Sequence, residues 1–386
     1  MKNLFDDIRA KGLDDLDMRV YTSRLLGSDQ DLVLHGGGNT SVKIDDILYV
    51  KGSGWDLGSI EKEGFSPARM SDLLSLLKYE KLSDTDMVRY QKEALIDKNA
   101  PNPSVEAILH ALIPYKFVDH THADAIVTIS NTVNGEQLIE EIYGENYLII
   151  PYVMPGFILA KVIDEMTQGV EWESLEGIIL HNHGVFTFDN DAKESYDKMI
   201  ATVAKAEEYL GENAPLSISE SREETPYDIE RLQELLSKSK GYDVVLRLNQ
   251  SSLAQHFASQ GDEGLYQKGV LTPEHIIRTK RLPILFGGDY RADLASYMES
   301  YREYFDHYSR DEIMLNTTPN WAVIQGVGTL SIGKNEKEAM IIEDITSHTM
   351  RAILQGEELG GYQSISESDS FEMEYWELEQ MKLKGK

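Results

Sequence analysis

Cysteine is absent from all 386 residues of this chain. That single absence excludes disulfides, thiolate metal sites and cysteine nucleophiles. Basic residues are scarce too: 37 Lys and Arg stand against 66 Asp and Glu, a formal charge of −29. Such a field repels nucleic acid and anionic membrane, so neither is expected as a partner. An anionic small molecule would need a locally basic or amide-lined pocket. Long hydrophobic runs are missing as well. No stretch reaches the roughly 18 apolar residues of a membrane span. The opening MKNLFDDIRAKG is charged and is followed by no apolar signal segment. A cytoplasmic location is therefore expected. What is present is 41% hydrophobic residues, enough for real cores, in a length suited to two domains.

Apolar residues recur at helical spacing through 3–26. The runs LVL, SVKI and DILYV between 32 and 50 read as short strands, separated by glycine-rich turns at 36–38 and 52–54. The stretch 67–98 reads as one or two helices starting at Ser71 and Ser83, and Asn102 or Ser104 caps another. FVDHTHAD reads as a strand running into a short helix, and YLII as a further strand. GIIL and GVFTF form a hairpin, followed by a strong amphipathic helix that closes at Gly211. The polar, acidic stretch 212–226 is the expected linker between a domain 1–212 and a domain 227–386. The second half repeats the first in weakened form. Residues 321–345 align without gaps on 177–201, Gly328 on Gly184 and Val327 on His183, so the second domain reads as a degenerate repeat without metal ligands. A final amphipathic helix is expected near 369–383.

The chemistry gathers in PSVEAILHALIPYKFVDHTHAD, residues 103–124. Residues i and i+2 of a strand share a face, so His120 and His122 aim at one point. A third imidazole follows in HNHG, at His183 or at His181. Three imidazoles leave an open position on a divalent metal such as zinc. Glu106, upstream at a helix start, is the candidate acid/base. His110, one turn on, reads as a structural hydrogen-bonder, and Asp119 and Asp124 as surface carboxylates. GGGNTS and KGSG offer backbone amides suited to phosphate. Neither has the spacing of a P-loop or a dinucleotide fingerprint. Lys51 beside the second turn reads as a solvated lysine. In HIIRTKR, residues 275–281, the basic cluster could complete an anion site or form a salt-bridged face.

Taken together these motifs resemble the class II aldolase/adducin family. The likeness rests on GNTSVK (38–43), KGSG (51–54), PSVE (103–106), HTHAD (120–124) and NHG (182–184) in order, over roughly residues 10–212. More narrowly, LHGGGNTSVK, YVKGSGWDL, NPSVEAILHA, PYVMPGF, LTPEHIIRTKR and MEYWELEQMKL are similar to the aldolase portion of the long rhamnulose-1-phosphate aldolase/short-chain dehydrogenase proteins. The resemblance implies an α/β/α layered domain with a mixed, mostly antiparallel central sheet, plus a smaller related α/β domain. It implies one Zn2+ per subunit on His120, His122 and His183, which decides against His181. Glu106 is then the catalytic acid/base, and Gly38, Asn39, Ser53, Gly54 and Ser104 hold a phosphate. Val105 departs from the family pattern, which has a second serine there; Arg278 or Lys280 is the expected replacement donor. The implied activity is cleavage of a ketose 1-phosphate, L-rhamnulose or L-fuculose 1-phosphate, to dihydroxyacetone phosphate and lactaldehyde through a metal-stabilised enediolate. The alternatives are a pentulose 5-phosphate 4-epimerase and a non-catalytic adducin-like scaffold. A homo-oligomer is implied. No dehydrogenase signature is found up to Lys386, so a separate dehydrogenase is the expected partner for the aldehyde.

Overall fold

A computed structural model describes residues 1–218, 227–261 and 263–378. The chain divides into two compact units, one comprising Met1–Ser130 and Asn134–Tyr209, the other Asn131–Val133 and Leu210–Lys386. Among the described residues no helix is long and apolar enough to cross a membrane.

The first unit is an α/β/α layered domain built on seven strands: β1 (Asn39–Ile44), β2 (Ile47–Lys51), β3 (Phe65–Arg69), β4 (Phe117–Thr121), β5 (Tyr147–Ile150), β6 (Gly177–Leu180) and β7 (Gly184–Asp189). Their order is β3-β2-β1-β4-β7-β6-β5. Neighbours run antiparallel except β5 and β6, so the sheet is mixed and mostly antiparallel. The central strand β4, FVDHT, is buried on both sides, which is why its sequence shows no apolar–polar alternation. On one face Val118, Phe186, Phe188, Ile178 and Leu180 pack with Leu109 from the helix Ala107–Leu112, Ile113 just after it, and Leu159 and Ile163 from the helix Phe157–Met166. On the other, Val42 and Phe117 pack with Ala192, at the start of the helix Ala192–Asn213, and with Leu16 and Met18 of the helix Asp15–Gly27.

That second face also holds a buried polar knot. Arg19 pairs with Asp119, whose other oxygen accepts from Ser195 Oγ at 2.6 Å, while Arg19 donates to Thr22 and Ser23 at 2.7 and 3.2 Å. Asp119 is thus fully buried, not the surface carboxylate its type suggested. A buried ion pair survives only when its remaining hydrogen-bonding capacity is filled, as it is here.

Several local expectations give way to longer-range effects. The expected helix over 3–26 is two helices, Asp7–Ala10 and Asp15–Gly27, broken where Gly12 takes φ +83°. LVL (32–34) is a buried turn, not a strand: Leu32 and Val33 donate to Asp29 O, and Gly37 donates to Leu34 O. The stretch 67–98 begins as the edge strand β3, containing Pro67, before the helices Met70–Ser75 and Asp84–Ala94. An edge tolerates the donor that proline lacks. Ser83 does cap its helix, accepting from Asp86 N at 3.1 Å.

In the second unit a smaller sheet has the order β8-β11-β10-β9, with β8 Val245–Asn249, β9 Ile284–Phe286, β10 Trp321–Ile324 and β11 Gly328–Gly333. Its connectivity copies β4–β7. An antiparallel hairpin β10–β11 pairs β9 in parallel on one side and β8 antiparallel on the other, as β6–β7 pairs β5 and β4. Trp321 faces Ser331 as Gly177 faces Thr187, and Leu248 faces Leu330 as His120 faces Phe186. At the positions of His120, His122 and His183 this sheet has Leu248, Gln250 and Val327. Val327 is buried in the apolar cluster of Leu330, Phe286 and Leu294. The helix Ala192–Asn213 runs past the expected stop at Gly211, which does not take the positive φ of a helix-ending glycine. Of the expected linker, 219–226 lie outside the described residues, as does 379–383 of the expected terminal helix. Within the described residues the helix is Glu367–Glu374, which starts earlier than expected and ends at Tyr375, so the single helix expected near 369–383 is shorter.

Candidate metal and base site

The site lies on the face of the first sheet opposite the Arg19–Asp119 pair. Asn39 of β1 stands directly across from His120 of β4, which stands across from Phe186 of β7. His120 stacks flat on Phe186, ring centroids 4.0 Å apart. Its Nδ1 lies 3.0 Å from Val185 O. Donating there fixes the tautomer and leaves Nε2 as a bare acceptor facing the site. His122, one residue past the strand end, brings its Nε2 to 3.0 Å from His120 Nε2.

His183 arrives from the β6–β7 hairpin. Leu180 pairs with Gly184, so the loop is His181-Asn182-His183, with Asn182 at φ +57°, a region asparagine tolerates. Gly184 must be glycine for lack of space. A Cβ there would sit 2.4 Å from Thr121 O and 3.1 Å from both His120 Cε1 and His122 Cδ2. One ligand nitrogen from each of His120, His122 and His183 lies within 4.8 Å of the others. His181 turns instead to Asn182, its Nδ1 2.6 Å from Asn182 Oδ1. The donor set fits a divalent ion. Three neutral imidazoles at tetrahedral spacing around zinc would have nitrogens about 3.3 Å apart, given Zn–N distances of about 2.0–2.1 Å.

Glu106 occupies the N-cap position of the helix Ala107–Leu112 and is 4% exposed. Its Oε2 is 3.5 Å from His120 Nε2 and its Oε1 is 3.7 Å from His183 Nε2. Asn39 Nδ2 donates to Oε2 at 2.6 Å. His110, read from sequence as a hydrogen-bonder, joins Asn39 Oδ1 through Nε2 and lies 2.8 Å from Ser41 Oγ through Nδ1. Burial, with His120, Lys43 and Arg19 adding to it, holds His110 well below the ordinary histidine range, so the ring is neutral.

The two glycine-rich turns lie beside Glu106, although fewer amides are open than the sequence suggests. Gly52 N donates to Gly64 O, Ser53 N to Asn102 O and Ser104 N to Lys51 O. Ser104 Oγ accepts from Glu106 N at 3.3 Å. Gly54 takes φ +86°; Gly38 takes φ +61°, and a Cβ on it would meet His120 O at 2.7 Å. Lys51 is not solvated. It is 5% exposed, with Nζ 3.1 Å from Gly36 O, and burial brings its amine down to about 8, against the opposing pull of Asp56 and Glu106. The one available signal was a lysine at the end of an apolar strand, DILYVK.

Arg278 belongs to the second unit. It is exposed, at the end of the helix Ile276–Thr279, and its carbonyl accepts from Asn320 Nδ2 at 2.7 Å. Its neighbours in the basic cluster serve that unit. Lys280 lies 3.6 Å from Glu374 and 3.6 Å from the centroid of the Tyr301 ring, and Arg281 pairs with Glu367 at 2.7 Å.

Three histidines and a buried carboxylate converging on one face of a three-layer sheet domain make a candidate metal site. Comparison with known proteins identifies the family. Residues 18–210 match the class II aldolase and adducin N-terminal domain, and 224–383 match the second domain of class II aldolases. The chain belongs to the class II aldolase/adducin family. It is 29% identical over 423 residues to the uncharacterized oxidoreductase YuxG of Bacillus subtilis (strain 168), an alignment covering 99% of this chain and 60% of that protein. The chain thus spans about three fifths of the length of this curated relative. It is 43% identical to the N-terminal class II aldolase domain of a conserved protein from Thermoplasma acidophilum, over 54% of this chain and 99% of that one, with a TM-score of 0.50.

Proposed function

We propose that this protein is a metal-dependent sugar-phosphate aldolase. It cleaves a ketose 1-phosphate, L-rhamnulose 1-phosphate before L-fuculose 1-phosphate, into dihydroxyacetone phosphate and lactaldehyde. The observation that carries the reading is a single buried carboxylate, Glu106, set beside a three-imidazole cluster on one sheet face. His120, His122 and His183 would hold the ion, zinc by the chemistry of an all-imidazole set. When bound, the ion supplies Lewis-acid polarisation of substrate oxygens.

The chain's own residues do the rest. Gly38, Asn39, Ser53, Gly54 and Ser104 line the phosphate end, with Lys51 as its buried cation; Arg278 is a further proposed donor. Asn39 can serve both ends, since one hydrogen of its amide is committed to Glu106 and the other is left for phosphate. In the condensation direction Glu106 takes the proton from the hydroxymethyl carbon of dihydroxyacetone phosphate. The electron pair left on that carbon forms the new bond to the aldehyde carbon, whose oxygen is protonated. Cleavage reverses each step, and Glu106 returns the proton. Assembly as a homo-oligomer in the cytoplasm, and hand-over of the aldehyde to a separate dehydrogenase, belong to the same proposal.

The test is turnover with a panel of ketose 1-phosphates and pentulose 5-phosphates, with and without a chelator, following triose phosphate release. Chelator-sensitive release from a 6-deoxyketose 1-phosphate is expected. Epimerisation of a pentulose 5-phosphate without release would replace this reading. Purified protein that binds no divalent ion and turns over neither substrate would mark a scaffold.

A further inference from the structure

A line of four side chains ends on Glu106 but begins outside the space a substrate could reach. Asn39 and Ser41, two apart on β1, share the face that looks onto the helix Ala107–Leu112. His110 projects from that helix one turn beyond Glu106 and is fully buried. The contacts run from Ser41 Oγ to His110 Nδ1 at 2.8 Å, from His110 Nε2 to Asn39 Oδ1, and from Asn39 Nδ2 to Glu106 Oε2 at 2.6 Å.

The direction of every hydrogen bond in this line is forced. A carboxylate only accepts, so Asn39 must present its nitrogen to Glu106 and its oxygen to His110. That oxygen also only accepts, so His110 Nε2 carries the hydrogen. The buried ring is neutral, so Nδ1 is bare and accepts from the Ser41 hydroxyl. All the donors point toward Glu106. The result makes the two carboxylate oxygens different. Oε2 is anchored, whereas Oε1 accepts no hydrogen bond among the described residues.

We propose that Ser41 and His110 are positioning residues: by fixing one imidazole tautomer they fix which way the Asn39 amide faces, and so hold Glu106 with Oε1 as the oxygen that exchanges the substrate proton. This rests on Glu106 being the base of the reaction proposed above. It goes beyond that reading by assigning the reacting oxygen and two residues that touch no substrate. Loss of the Ser41 hydroxyl removes the only donor among the described residues that holds Nδ1 bare. The ring can then place its hydrogen on Nδ1. Nε2 becomes an acceptor, Asn39 turns its NH2 to it, and the amide oxygen faces the carboxylate that the NH2 had held.

The experiment uses the full-length, metal-loaded protein and the variants Ser41→Ala, His110→Phe, His110→Gln and Glu106→Gln. Two activities are read: cleavage of the ketose 1-phosphate, and exchange of the hydroxymethyl hydrogen of dihydroxyacetone phosphate with D2O, followed by NMR without aldehyde. Ser41→Ala is expected to lower kcat and the exchange rate together, each by about 10–100-fold, as loss of a preorganised contact does. KM should stay within about twofold, with bound metal and Tm unchanged. His110→Gln, whose amide can still donate to Asn39, should recover part of what His110→Phe loses. The 15N resonances of the wild-type His110 ring should report the Nε2–H tautomer. Wild-type exchange in Ser41→Ala and His110→Phe, with Glu106→Gln inactive, overturns the positioning role while sparing the base. An Nδ1–H tautomer in the wild type overturns it independently of activity. Full exchange in Glu106→Gln removes the base assignment, and the relay with it.

Discussion

Replacing Lys51 by methionine should make the protein more stable and a poorer binder of phosphate. The amine is 5% exposed, and burial lowers it from 10.5 to about 8 even though Asp56 and Glu106 pull the other way. A drop of that size corresponds to about 3 kcal/mol of cost for keeping the charge in the folded state. The sign follows from the order of the two values. Below about pH 8 both folded and unfolded chains carry the proton, and the whole cost is present. Between about 8 and 10.5 only the unfolded chain still binds it, and the cost fades as pH rises. Methionine keeps the length of the apolar stem, and the hydrogen bond lost to Gly36 O, 3.1 Å long, is worth about 1 kcal/mol. The variant should therefore gain about 1–3 kcal/mol at pH 7, read by urea unfolding, and the gain should shrink between pH 8 and 10. At the same time KM for a phosphorylated ketose should rise about 10–100-fold, the loss of a hydrogen bond to a charged group. A variant no more stable than the parent at pH 7, or one whose advantage ignores pH, refutes the burial argument. An unchanged KM refutes the phosphate role separately.

Two further substitutions probe geometry. Gly184→Ala drives a methyl into Thr121 O, a backbone atom that cannot move aside, and presses on two imidazoles. It should cost more than about 2 kcal/mol by denaturant unfolding and lower the metal content of the purified protein; normal values of both would refute the tight fit of the hairpin against Thr121. Lys280→Met leaves Glu374 buried without its cation; burial already raises that carboxyl, with Lys280 opposing. The single change should destabilise by about 3–5 kcal/mol, and Lys280→Met with Glu374→Gln should recover most of it. Additive losses in that double-mutant cycle would mean that the two charges do not interact.

The sequence shows the site more clearly than the details of the fold, and the reason is distance along the chain. His120 lies near the end of a strand and His122 follows one residue past that end, and the spacing of two that aims them at one point is local. His183 and its glycine sit in a short hairpin, also local. The α/β/α layering and the mostly antiparallel sheet follow from the family resemblance and agree with the structure. What escapes is decided by partners far away. Lys51 and Asp119 look like surface residues until the strands and helices that cover them are in place. Pro67 argues for a turn or helix start unless one knows that its strand lies at a sheet edge. LVL is apolar because it is buried, and a short apolar run does not distinguish a strand from a packed turn. The link from Ser41 through His110 and Asn39 to Glu106 joins residues nearly seventy positions apart, and each taken alone is an ordinary buried polar residue.

The strand β4 carries its residues to two separate constituencies. Asp119 and Thr121 face Arg19, Ser195 and Met199, whereas Val118 and His120 face the layer that holds Glu106. Variation along this strand is thereby sorted by parity. A change at Asp119, which leaves Arg19 buried without its partner, is expected to lower how much folded protein a cell accumulates, whereas a change at His120 is expected to act on the proposed site as well as on its stacking against Phe186. The buried ion pair and the proposed site can therefore vary by separate substitutions, while Val118, on the same face as His120, still anchors the apolar core of the site's own face.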